Sequence, residues 1–131
     1  MHRSYIYIIV LLLLPVSLLS QEVSVTAKLD TNKIYVGDQI WYTITVNQPD
    51  SLKLGIPAFK DTIISKIDIV SGPESDTSTL NPGKIRIRNR YLITSFDSGY
   101  YNIPPVFAEV SDKQGLRRFY SDYNQLEVMR V

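Results

Sequence analysis

The sequence contains no cysteine, and its one histidine is His2. A mature domain that starts beyond that residue has no disulfide, no thiol nucleophile, no His-based triad and no typical zinc site. No glycine-rich phosphate loop is present, and no Ser-x-x-Lys pair stands in a catalytic setting. Excess charge is also missing, with 14 Lys and Arg against 13 Asp and Glu. One long apolar run occurs, at the N-terminus, and no stretch repeats with a helical period. Together these absences exclude most nucleophilic and metal chemistry and leave a non-enzymatic domain without a cofactor as the expectation.

What is present begins with Arg3 and an apolar run from Tyr5 to Leu14, interrupted by Pro15 and followed by Val16 to Ser20 before Gln21. A charged start, a short apolar stretch and a small residue before a polar one read as a secretory signal peptide over residues 1–20. The run is shorter than the about 20 apolar residues of a comfortable membrane span. An uncleaved anchor is the alternative. Without Arg3 the basic and acidic residues balance, so residues 21–131 have no general pull toward nucleic acid or an anionic membrane. Their length suits one domain, and 44% apolar with 21% charged content over the whole sequence is ordinary for a globular chain.

That domain reads as strands and turns. Val23, Val25, Ala27 and Leu29 alternate with Ser24, Thr26 and Lys28, and Asp30-Thr31-Asn32 is a turn cluster. Lys33 to Val36 is a short extended piece stopped by Gly37-Asp38. Ile40, Tyr42, Ile44 and Val46 share one strand face, with Trp41, Thr43 and Thr45 on the other. Asn47 to Pro57 is expected as loop, Ile63 to Val70 as strand, and Glu74 to Gly83 as a long exposed connection. Strands are expected from Lys84 to Phe96 and from Tyr100 to Ile103, where Pro104-Pro105 stops any regular central ladder. Val106 to Val110 and Leu116 to Tyr120 flank a hairpin turn, and Leu126 to Val131 closes the chain. The expected fold is all-β, a single immunoglobulin-like antiparallel β-sandwich of about seven or eight strands.

Several of these pieces carry a family likeness. Val36-Gly37-Asp38-Gln39-Ile40 with the strand Tyr42 to Val46, then Val70-Ser71-Gly72-Pro73, Tyr91-Leu92-Ile93 and Gly99-Tyr100-Tyr101-Asn102-Ile103-Pro104-Pro105, occur in that order. In them the chain resembles the N-terminal part of the BatD-type aerotolerance (oxygen tolerance) proteins, over nearly all of residues 22–131. The resemblance implies an exported, periplasmic or envelope-associated protein with immunoglobulin-like domains. It also implies partners among von Willebrand A-domain proteins and a MoxR-type AAA+ ATPase, and supplies no catalytic residues. Longer members carry a C-terminal membrane helix, so membrane anchoring is expected only if the chain continues past Val131.

Four clusters are candidate sites. Lys84, Arg86, Arg88 and Arg90 alternate with Ile85, Ile87 and Asn89, which places the cations on one strand face about 7 Å apart. Such a row grips an acidic partner surface or a phosphate-bearing glycan, or is a solvated face balanced by acids on neighbouring strands. Trp41 faces away from the apolar side of its strand, either exposed for protein or sugar contact or covered by a loop within Asn47 to Phe59. Asp97-x-Gly99-x-Tyr101 has the spacing of a tyrosine corner, in which a Tyr hydroxyl ties back to the backbone. Phe119, Tyr120 and Tyr123 form an aromatic group that suits either a contact surface or a hairpin end. Asp30-Thr31-Asn32 and Glu74-Ser75-Asp76 offer oxygen ligands but lack the full run of a calcium loop. The function expected is an exported protein-interaction module of the bacterial envelope, with a carbohydrate-binding module as the alternative and a small hydrolase a distant third.

Overall fold

Alternation of apolar and polar side chains builds the centre of the molecule. The computed structural model describes residues 22–131, and the signal-peptide expectation for residues 1–20 lies outside them. Along β3 (Gln39–Pro49) every second residue from Ile40 through Tyr42, Ile44, Val46 and Gln48 is buried. β6 (Lys84–Thr94) pairs antiparallel with β3 along its whole length, with Tyr42 opposite Tyr91 and Thr45 opposite Arg88. β1 (Ser24–Leu29) lies on the far side of β3. β5 (Ile67–Asn81) lies on the far side of β6 and carries the short β4 (Thr62–Ile64) at its start. The result is a five-stranded sheet in the order β1-β3-β6-β5-β4.

Two smaller sheets complete the fold. β2 (Lys33–Tyr35), β10 (Asn124–Met129) and β7 (Gly99–Ile103) form a three-stranded sheet in the order β2-β10-β7. β8 (Phe107–Asp112) and β9 (Gly115–Tyr120) form a hairpin. The protein is all-β and sandwich-like, with ten strands and no helix among the described residues. Its core joins Tyr42, Ile44, Tyr91 and Ile93 of the large sheet to Ile103, Leu126 and Val128 of the three-stranded one. Each such side chain contributes roughly 1.5–3 kcal/mol by leaving water. Phe59, from the segment between β3 and β4, stands edge-on to Tyr42 at 6.5 Å and to Tyr91 at 5.6 Å. Its backbone N–H donates to the Tyr91 hydroxyl at 3.2 Å.

The structure corrects the sequence reading in several places. Asn47 to Pro49 are not loop but the end of β3, paired with Arg86, Ile85 and Lys84. The run from Ile63 to Val70 is not one strand, because the chain reverses between β4 and β5 at Lys66, whose φ is +75°. Glu74 to Gly83 is not a long connection. It is mostly the outer half of β5, paired with β6 out to the Asn81–Lys84 rung, and only Pro82-Gly83 turns. Ser71-Gly72-Pro73 does not stop the strand; Ser71 still pairs with Leu92, a register shift takes up Gly72-Pro73, and pairing resumes at Glu74. Only glycine fits at position 72, where φ is +114° and a Cβ would lie 2.6 Å from the Arg90 carbonyl oxygen. The split of that run into β4 and β5 adds a strand, and the count of ten exceeds the expected seven or eight. One ladder, between β2 and β10, is parallel where an antiparallel arrangement was expected.

Candidate functional site

The outward side of the large sheet brings Trp41 and the arginine row together. Since side chains alternate across a strand, the burial of Tyr42 and Ile44 turns Trp41, Thr43, Thr45 and Asn47 outward. Antiparallel register then sets Thr43 beside Arg90, Thr45 beside Arg88 and Asn47 beside Arg86. On the other flank of β6, Glu74 faces Arg90, Asp76 faces Arg88 and Ser78 faces Arg86. β1 adds Thr26 opposite Thr45 and Lys28 opposite Thr43. Lys84 sits at the hairpin end of the row, opposite Pro49, and is exposed.

The three arginines have different surroundings. The Arg90 guanidinium donates to a Glu74 carboxylate oxygen at 2.8 Å and lies 4.5 Å from the centre of the Trp41 ring. Arg86 donates from Nε to Asn47 Oδ1 at 3.0 Å. Arg88, between them, makes no ion pair and no side-chain hydrogen bond with any described residue, although Asp76 stands opposite it in register. Two like charges about 7 Å apart in water repel by roughly 0.6 kcal/mol, which is the size of what an exposed ion pair returns. Glu74 therefore offsets the repulsion around Arg90, and Arg88 keeps its share.

Trp41 is half-buried, and its cover is the Arg90 side chain. The segment after β3 instead closes the inner side through Leu54, Ile56 and Phe59, and Phe59 meets Tyr42 and Tyr91. The Trp41 backbone is held by Asp30, whose carboxylate accepts its N–H at 3.0 Å. A shallow groove of about 720 Å³ runs over Thr26, Lys28, Thr43, Thr45, Arg88 and Arg90. A second depression lies across β6, along Glu74, Ser75 and Asp76, and shares Arg88 and Arg90 with the first.

Asp97, Gly99 and Tyr101 lie elsewhere, at the turn between β6 and β7. The Tyr101 hydroxyl donates to the Asp97 backbone carbonyl at 2.7 Å, and the Tyr101 ring lies 3.6 Å from where a Gly99 Cβ would stand. The Asp97 carboxylate faces Lys66 at 3.5 Å. These contacts tie a turn. The aromatic group at the end of β9 divides by alternation: Phe119 packs against the core, whereas Tyr120 and Tyr123 are exposed. Tyr120 pairs instead with Phe107 at 5.7 Å, over which Arg118 sits at 4.5 Å.

Neither candidate calcium run forms a loop of ligands. Asp30 is engaged by the Trp41 N–H, and Glu74 and Asp76 stand on a strand facing arginines. Among the described residues no three of His, Cys, Asp or Glu converge. Sequence reasoning missed an apolar pocket of about 140 Å³ where Pro57, Phe59, Ile63, Ile103, Pro105 and Phe107 meet. Its walls come from three separated segments, and no local pattern announces it. No family model matches the sequence, and no curated protein matches it either.

Proposed function

We propose that the chain is an exported, non-enzymatic protein-interaction module of the bacterial envelope, as its likeness to BatD-type proteins implies, and that the outer face of the β1-β3-β6-β5 sheet is its docking surface. The observation that carries this reading is Arg88. Its guanidinium has no partner among the described residues, at the junction of two depressions in a polar sheet face. A planar fork of donors in that setting suits carboxylates on a partner surface. The absence of Cys and His beyond residue 2 supports the non-enzymatic side of the reading.

The carbohydrate-binding alternative needs an open aromatic face for a sugar ring. Arg90 lies over the Trp41 ring and Glu74 holds it there, which favours the protein reading. In-cell crosslinking of the natively encoded protein, followed by mass spectrometry, tests this. Capture of a von Willebrand A-type envelope protein through peptides of β3 or β6 is the expected result. Absence of any protein partner, together with a saturable Trp41 fluorescence change on adding oligosaccharide, overturns it.

A further inference from the structure

The groove over β1, β3 and β6 has a chemistry more specific than a polar face. Two cross-strand rows define it, Lys28–Thr43–Arg90 with a cation on each side of the threonine, and Thr26–Thr45–Arg88 with a cation on the β6 side alone. Its one lining acid, Asp30, already accepts the Trp41 N–H. Arg90 is held by Glu74, and Arg86 by Asn47. Of the groove's cations, Lys28 and Arg88 have no ion-pair partner among the described residues and stay open to a visitor. The arginine positions on β6 repeat about every 7 Å, the same interval that separates alternate side chains of any extended peptide.

We propose that this groove receives carboxylates of an extended acidic segment of the partner protein, laid along β6, with Arg88 as the ion-pairing residue, Lys28 on the opposite wall and Thr43 and Thr45 donating hydroxyls. Glu74 then acts as an internal competitor. While it holds Arg90, the row offers a visiting carboxylate one arginine fewer. The inference rests on the partner being a protein and adds where and how it is held.

The test is a titration of the protein at low salt with a blocked peptide alternating threonine and glutamate. It is read by the backbone amide shifts of Thr43 and Thr45 and by Trp41 fluorescence. Saturable shifts are expected, lost in about 1 M salt, where the screening length is roughly 3 Å. Arg88→Gln is expected to weaken binding about fivefold, the upper end for an exposed ion pair, with Arg88→Lys in between. Glu74→Gln is expected to tighten it about threefold by releasing Arg90. Equal binding of the glutamine counterpart peptide, unchanged affinity in Arg88→Gln, or weaker binding in Glu74→Gln overturns the proposal. So does a response to inorganic phosphate with none to the peptide. A partner captured in cells together with a failed titration removes this inference alone, whereas no captured partner together with a saturable response to oligosaccharide removes the broader reading and this inference with it.

Discussion

Replacing Tyr101 by phenylalanine removes a single oxygen and leaves the ring in place against Gly99. That oxygen donates to the Asp97 carbonyl at 2.7 Å and ties the turn leaving β6 to β7. A neutral hydrogen bond contributes about 1 kcal/mol net, and here the carbonyl can recover part of that from water because Asp97 is exposed. The expected loss is therefore about 1 kcal/mol or slightly less, a fall in Tm of roughly 3–4 °C for a domain of this size. Asp97→Ala is the matched control. The bond uses the backbone of Asp97, so this change keeps it and removes only the Lys66 contact, at 3.5 Å between side chains 55% and 58% exposed. An ion pair that exposed contributes at most a few tenths of a kcal/mol. Urea unfolding followed by Trp41, the one tryptophan, compares the two variants with the parent. The midpoint should drop for Tyr101→Phe with an unchanged slope and stay nearly fixed for Asp97→Ala. Equal midpoints for all three, or a larger loss for Asp97→Ala, refute the reasoning.

Burial, reinforced by the neighbouring Tyr91 hydroxyl, pushes the Tyr42 hydroxyl up to about 12 from its ordinary 10. The folded state thus holds this proton where the unfolded chain has released it. Stability is full below pH 10 and declines between pH 10 and 12 by on the order of 2–3 kcal/mol. Alkaline unfolding of the parent beside Tyr42→Phe checks this, since the phenylalanine variant should lack that part of the decline. Gly72→Ala forces a methyl to within 2.6 Å of the Arg90 carbonyl oxygen at a φ of +114°, and should cost about 2 kcal/mol or more in urea unfolding. A neutral result there means that the β5 bulge relaxes freely. Arg90→Gln uncovers the Trp41 ring and should raise its quenching by iodide, whereas unchanged quenching shows that other groups cover the ring.

The strands that bury one face were legible in the sequence. β3 alternates Ile, Tyr, Ile and Val against Trp, Thr and Thr, and burying one set fixes where the other points. The outer half of β5 was not legible for the converse reason. From Ser71 to Asn81 both faces are exposed, so no apolar period marks it, and its strand character comes from the backbone of β6 beside it. Lys66 hid a reversal because a lysine at positive φ carries no turn signal of its own. At the candidate site, the spacing of Arg86, Arg88 and Arg90 shows that they share a face. Which of them is engaged follows from register: Glu74 stands opposite Arg90 only because the bulge at Gly72 resets the pairing. The same holds for Trp41, whose cover is a side chain 49 positions away on a neighbouring strand.

The parallel pairing of β2 with β10 has a mechanical meaning. The two strands belong to opposite ends of the chain and run the same way, with Lys33, Ile34 and Tyr35 beside Glu127, Val128 and Met129. Tension that draws the start of β2 one way and the end of β10 the other slides the strands lengthwise past each other. The bonds from Glu127 N–H to Asn32 and from Val36 N–H to Met129 then bear the load together instead of opening one after another. An antiparallel pair pulled from one end would unzip rung by rung. Under such a load this short ladder resists in shear, coupling the second strand of the fold to its last.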